Sequence, residues 1–214
     1  MPTLSDAAIA DLLKPYLSNP PATLLPKLSA YLDLLLKWNA RTNLTAIRDP
    51  EEIVRRHFGE SLFAASHLPL ESDLRVEKPD PSIPAAGAFT LLDLGSGAGF
   101  PGLPIALLCP GVQVTLAESQ NKKAAFLREV VRTLNLSNVE VWAARAETLP
   151  AHRQFRVVTL RAVDNMEAAL FAARVRVVPG GLLALLTTIQ QVPGAGRSIP
   201  LPNSQSGILY LQSF

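Results

Sequence analysis

The chain is predicted to be an α/β protein, with a parallel sheet covered by helices on both faces and an all-helical segment in front of it. Three observations predict this class. Apolar residues recur at three- and four-residue steps in the first third of the chain; short apolar runs alternate with longer helical stretches from residue 89 onward; and a glycine-rich turn joins the first of those runs to a helix. At 214 residues, 48% hydrophobic and 18% charged, the chain is long enough for one such core plus an extension.

Taken in order, Leu24, Leu28, Tyr31, Leu32, Leu35 and Trp38 form one apolar stripe and predict an amphipathic helix over about residues 23 to 41. A second helix is predicted to start at Pro50, because Asp49 is a good cap and proline suits the first turn; it carries Ile53, Val54, Phe58, Leu62 and Phe63. Residues 1–77 are thus read as a helical segment. Lys78 to Pro84 packs three prolines into seven residues, so 78–88 reads as an exposed linker. The sheet unit would occupy 89–214, and the helices can pack with it as one domain. Its strands are predicted at Phe89–Leu94, Val112–Ala117, Val139–Trp142, Val157–Leu160 and Leu182–Leu186, with crossover helices at Phe100–Cys109, Asn121–Leu134 and Asn165–Val175. Gly180-Gly181 is read as the turn into the fifth strand, and Gly207–Leu211 as an added edge strand in a turn-rich tail.

A net charge of +2 permits an anionic partner without requiring one. One cysteine, Cys109, cannot form an internal disulfide or a cysteine cluster, and three scattered histidines have no ligand spacing, so no metal is expected. The amino terminus lacks the blocks of a signal peptide and no apolar run is long enough to span a bilayer; a cytoplasmic, reducing setting is expected.

The stretch Leu91-Leu92-Asp93-Leu94-Gly95-Ser96-Gly97-Ala98-Gly99-Phe100-Pro101-Gly102 runs from an apolar strand through alternating glycines into a helix. Such a turn is expected to expose amides at a positive helix end, and side chains at Gly95, Gly97 or Gly99 would hold a ligand off the backbone. Asp93 can accept from loop amides or from a ligand ammonium, or simply stabilise the turn. Nineteen positions after Gly99, Glu118 ends the second apolar strand, where a carboxylate can accept both hydroxyls of a ribose. Together these predict a nucleoside cofactor. Gly97-x-Gly99-x-x-Gly102 also satisfies the dinucleotide fingerprint, so an NAD-dependent oxidoreductase competes with other readings.

Further segments carry a resemblance. Lys37-Trp38-Asn39 with Asn43-Leu44-Thr45, Arg56-His57-Phe58-Gly59-Glu60-Ser61-Leu62, and above all the continuation Phe100-Pro101-Gly102-Leu103-Pro104 resemble the bacterial 16S ribosomal RNA guanine-N7 methyltransferases called RsmG or GidB. Lys122-Lys123 with Phe126-Leu127, Arg145-Ala146-Glu147 and Arg161-Ala162 extend the match, which runs from about Leu35 to Gly181. The resemblance implies a Rossmann-like class I methyltransferase sheet, S-adenosyl-L-methionine as cofactor, and cofactor contacts at Gly95, Phe100, Ala146, Glu147 and Arg161. It implies 16S ribosomal RNA or the small ribosomal subunit as partner; separately, a monomer is expected. Arg56, His57, Lys122 and Lys123 are the candidate RNA-facing residues, against solvated helix faces as the alternative. Asn43 and Thr45 either contact substrate or turn the chain.

Three departures stand out: Glu60 where the family usually has Asp, Thr187-Thr188 where it usually has Lys-Gly, and a tail that is short for its final helix and hairpin. The last two motivate a third reading, a non-catalytic RNA-binding protein that retains the fold. The implied chemistry, displacement from a sulfonium by a ring nitrogen with a free lone pair, needs no general base and so no obvious catalytic triad. Arg161 is read as a positioning group. A catalytic thiol is not needed, and Cys109 is read as packed; Asn19-Pro20-Pro21-Ala22 lacks the aromatic of the amino-group methyltransferase motif and is taken as coincidence.

Overall fold

A computed structural model describes residues 2–69, 89–162 and 165–214. The predicted linker at 78–88 lies outside the described residues. Before it stand α1 (Asp6–Leu13), α2 (Leu24–Asn39), α3 (Pro50–Ile53), a π-helical stretch (Val54–Gly59) and α4 (Glu60–His67). The Asp49 carboxylate caps α3 by accepting from the Glu52 amide at 2.8 Å, with Pro50 in the first turn. Helix α1 was not expected from the sequence, because its eight residues are too few to establish a period; Ser5 caps it by accepting from the Ala8 amide.

The sheet comprises β1 (Thr90–Leu94), β2 (Gln113–Ala117), β3 (Val139–Trp142), β4 (Phe155–Arg161), β5 (Val177–Thr188), β6 (Arg197–Pro200) and β7 (Gly207–Ser213). Helices α5 (Gly102–Leu108), α6 (Asn121–Thr133) and α7 (Met166–Arg174) connect the parallel strands. The order is β3-β2-β1-β4-β5-β7-β6, parallel from β3 to β5, with β7 antiparallel to both its neighbours.

Strand alternation explains why the strands read as continuous apolar runs. Leu91, Val157, Ala184 and Leu209 face one core, which the amino-terminal helices complete with Ile9, Leu28, Tyr31 and Phe58. Leu92, Val158, Leu183 and Tyr210 face the other, beneath α7. Both faces are covered, so both sets of side chains are apolar. The helical segment and the sheet thus share one core.

Two expectations about the carboxyl-terminal part need correction. Gly180-Gly181 lies inside β5, where the pairing with β4 shifts register between Phe155↔Val177 and Val157↔Leu182. Gly180 has φ +75°, and its amide bonds to the Phe214 carbonyl; the glycines absorb a bulge within the strand rather than begin it. The strand at Gly207 is not an edge: it runs on to Ser213 and lies between β5 and β6. Its partner β6 supplies the edge, and the short 3₁₀ turn Ile189–Gln191 stands between β5 and β6 where a crossover helix would run. The exposed, turn-rich sequence of β6 gave no strand signal.

Candidate active site

The strand order reverses between β1 and β4, and the crevice at the carboxyl ends of such strands is where α/β sheets bind ligands. A cleft of about 450 Å³ opens there, lined by Gly95, Ser96, Gly97, Phe100, Glu118 and Arg161, and on the helical side by Leu44, Thr45 and His57. Gly95, Gly97 and Gly99 have φ of +72°, +57° and +96°, so the turn needs glycine at each. A methyl group at Gly95 or Gly97 would meet no side chain of the protein.

The expected array of free amides at a helix end is not what the turn offers. The Gly95 and Ser96 amides bond to the Ala117 carbonyl at 2.9 and 3.1 Å, and those of Gly99 and Phe100 bond to Ser96. Gly97 donates to Glu118 Oε2 at 2.8 Å and Gly102 to Asp93 Oδ2 at 3.2 Å. Two carboxylates therefore occupy the donors that a pyrophosphate would need. Asp93 takes the loop-amide role: it is fully buried and also accepts from Thr159 Oγ1 at 2.8 Å. Burial pushes its carboxyl up to about 6, against hydrogen bonds from Thr159 and Gly102 that pull the other way. Glu118 accepts from Gly97 and Gln120, leaving acceptor capacity on a carboxylate that lines the cleft.

The helical side is ordered by aromatic packing and one buried amide. The Phe100 ring lies nearly parallel to Tyr31 (5.4 Å between centroids) and to His57 (4.6 Å), which leaves little of its face for a ligand. Tyr31 donates its hydroxyl to the Ala98 carbonyl. Because Ala98 is buried, Tyr31→Phe is expected to lower stability by about 1–3 kcal/mol, measured by urea unfolding. Asn39 Oδ1 accepts from the Leu44 and Thr45 amides and its Nδ2 donates to the Thr45 carbonyl, folding the loop that lines the cleft. Of the open alternatives there, Asn43 ties the chain by accepting from Arg48, while Thr45 both turns the chain and faces the cleft.

His57 Nε2 lies 2.7 Å from Thr45 Oγ1, and its buried Nδ1 has no protein partner. Burial, then the charges of Arg161 and Arg56, pull its imidazole down to about 3. Its folded value is below the ordinary 6.5, so the unfolded chain binds the proton more tightly. The resulting stability is full above about pH 6.5 and is lost as pH falls toward 3. Relative to His57→Gln, the wild-type protein is therefore expected to lose stability between pH 6.5 and 4.5, measured from denaturant midpoints.

Arg161, at the end of β4, is anchored from the helical segment. Its Nη2 donates to Glu60 Oε2 at 2.6 Å and to the Arg56 carbonyl at 2.8 Å, while its buried Nη1 has no protein partner. The other Glu60 oxygen accepts from Arg56 Nε at 2.8 Å. The π-helical turn holds Arg56, His57 and, just beyond it, Glu60, and π-helical turns recur at functional sites.

Comparison with known proteins decides the family. Residues 24–191 match the family described as rRNA small subunit methyltransferase G. The chain is 43% identical to the ribosomal RNA small subunit methyltransferase G of Stenotrophomonas maltophilia (strain K279a), over 76% of this chain and 68% of that one. To its namesake in Xylella fastidiosa (strain M23) it is 43% identical over 78% and 68%. The chain belongs to this family. Among solved structures it is similar to the Pyrococcus horikoshii protein PH0793, at 14% identity and TM-score 0.49, over 71% of this chain and 63% of that one.

Membership in the methyltransferase G family displaces the oxidoreductase reading, and two observations agree. An antiparallel strand interrupts the all-parallel dinucleotide order, and the turn's donors are already bonded to Asp93 and Glu118. Of the site residues read from the sequence, Gly95, Gly97, Phe100, Glu118, Arg161, His57 and Lys123 come together around the cleft. Gly99 lies beneath it, where an added methyl group would strike Leu103 and the Tyr31 hydroxyl. Lys122 is exposed outside the cleft, and Arg56 pairs with Glu60 beside a neighbouring one. Ala146 is packed into the second core, while Glu147 borders a groove next to α7; neither lines the cleft. Arg176 holds that turn, donating to the carbonyls of Glu147, Leu149, Pro150 and Arg153.

Sequence reasoning missed three contributors. Core packing explained Tyr31, and Asn39 and Glu60 stood in segments that carry the resemblance but were given no role in the site. Trp38 packs against Phe126, as the apolar stripe indicated. Cys109 is buried. Among the described residues no group of three or more potential metal ligands sits together, and no helix is long and apolar enough to cross a membrane.

Proposed function

We propose that the chain transfers the methyl group of S-adenosyl-L-methionine to N7 of one guanine in 16S ribosomal RNA. The observation that carries this reading is the cleft itself. A positive-φ glycine turn with open space above it, a buried carboxylate with spare acceptor capacity, and an unpartnered guanidinium nitrogen converge at the strand-order reversal of a methyltransferase G family chain.

S-adenosyl-L-methionine supplies a methyl group on a sulfonium. Bound in the cleft, it would offer that methyl to an in-line attack by the N7 lone pair, which would form the carbon–nitrogen bond, leave the electron pair of the broken methyl–sulfur bond on sulfur and pass the positive charge to the purine. No proton moves, so the protein's task is placement. Glu118 accepts from ribose hydroxyls, and Gly95 and Gly97 let the cofactor approach the backbone. His57 and Arg161 stand at the wall of the cleft, each with a buried nitrogen that no protein group pairs. Glu60 accepts from both Arg161 and Arg56, so it reduces without cancelling the positive charge that Arg161 sets against a sulfonium. Ala146 and Glu147, the family's other cofactor positions, stand after β3 on the same edge of the sheet, and Lys122 and Lys123 are suited to RNA phosphates. The reaction calls for no metal and no second copy of the chain, and its substrate belongs to the cytoplasm.

Calorimetry with each cofactor tests the first half of this reading. Binding of S-adenosyl-L-methionine is expected, with no heat from NAD; the reverse pattern would overturn it.

A further inference from the structure

Next to the cofactor cleft lies a second, smaller one of about 260 Å³, and the two share Arg161 and Ala162. Its remaining walls include Thr187 and Thr188 at the end of β5 and Ser204, Ser206 and Gly207 around the β6–β7 turn. The volume is below the ~300–1,000 Å³ of pockets that bury a drug-sized ligand, and suits a single planar ring system. Its lining is mostly neutral, which suits a base better than a phosphate. The two arginines that reach it, Arg56 and Arg161, are both committed to Glu60, and the other polar groups are neutral hydroxyls and the Gln191 amide.

At the junction, Ala162 has φ +49°, a conformation sparsely populated without glycine and found disproportionately at ligand sites. The preceding residue, Arg161, lines both clefts and has a buried Nη1 that no protein group accepts from. The other terminal nitrogen, Nη2, is spent on Glu60 and the Arg56 carbonyl. A guanidinium that reads guanine O6 and N7 together needs a pair of adjacent donors, and both such pairs include Nη2. Arg161 therefore has a single-point contact to give. Directed to O6, it marks a guanine, since adenine carries a donor at that position, and leaves the N7 lone pair free.

We propose that this second cleft, walled by Thr187, Thr188 and the β6–β7 turn, holds the base of the acceptor guanine, with Arg161 Nη1 on O6. The inference rests on the methyl-transfer reading above. It gives the unusual tail a role: with only a 3₁₀ turn between β5 and β6, the hairpin brings Ser204 and Ser206 to the end of β5, where Thr187 and Thr188 stand.

Filling the cleft tests it. Ser206→Trp and Thr188→Trp narrow it from two different walls, and the full-length variants are compared with wild type in three measurements: thermal midpoint, calorimetric affinity for S-adenosyl-L-methionine, and single-turnover methyl transfer to unmodified small-subunit ribosomal RNA. At least one variant is expected to keep its thermal midpoint and its cofactor affinity within about threefold while transfer falls a hundredfold or more. A folded variant that transfers at the wild-type rate would overturn the assignment. Loss of cofactor binding alongside transfer in folded protein would overturn it too, by making the cleft part of the cofactor site. Wild-type protein that binds the cofactor but transfers nothing would instead refute the reaction, and the base pocket with it.

Discussion

Gly97→Val is expected to abolish binding of S-adenosyl-L-methionine while leaving the protein folded. Gly97 has φ +57°, a region that a β-branched residue enters only with strain of about 1–3 kcal/mol. The nearest atom to an added Cβ is the Gly95 carbonyl oxygen at 3.8 Å, so nothing in the protein collides with it. In the proposed placement the side chain projects into the cofactor's space, and any shift of the backbone disturbs the 2.8 Å bond from the Gly97 amide to Glu118. Placement of the ribose acceptor and access to the backbone would fail together. Calorimetry should show affinity lower by a hundredfold or more, beside a modest fall in thermal midpoint. Unchanged affinity would refute the position of the cofactor. Gly102→Ala provides the contrast: its methyl group would sit 2.5 Å from Leu116 and 2.8 Å from Asp93, so its main effect is on packing and stability.

Arg161→Ala is expected to reduce methyl transfer by about 10²-fold or more with far less effect on folding. Removing one member of a buried ion pair usually costs about 3–5 kcal/mol, because a charge is left behind without a partner. Here Glu60 retains the 2.8 Å bond from Arg56 Nε, so the carboxylate is not abandoned. The reciprocal change is worse for the fold, because Glu60→Ala leaves the buried Arg161 guanidinium without a carboxylate, whereas Arg56 is half exposed and keeps Glu52 nearby. Single-turnover kinetics and thermal melts on the two variants separate the roles. An Arg161→Ala protein that is inactive because its thermal stability has collapsed would count against the assignment.

The parallel strands and their helices were legible because burial on both faces forces apolar runs that only a sheet of this class explains. Leu91 and Leu92 face opposite cores, yet both had to be apolar. The glycine turn was legible because positive φ leaves a compositional mark, and Glu118 because of its distance from the turn. What local pattern could not carry was contact across the chain. The bond from Glu60 to Arg161 joins residues 101 positions apart, and that from Tyr31 to Ala98 joins residues 67 apart. Neither leaves a periodic trace. The free amides expected of the glycine turn failed in part for the same reason: Ser96 accepts from two of them within the turn, but the other acceptors, Asp93, Ala117 and Glu118, come from the ends of two strands. Strand β6 and the interior position of β7 escaped notice because pairing order is a property of the whole sheet.

The measurement that bears most directly on the central claim is a nucleoside mass-spectrometric search for 7-methylguanosine in small-subunit ribosomal RNA. The RNA comes from a strain lacking the modification and is incubated with the purified protein and S-adenosyl-L-methionine. One new 7-methylguanosine per RNA, absent when the cofactor is omitted, is the expected result. Cofactor binding with no 7-methylguanosine formed, or a methyl group found at another position, would contradict the account.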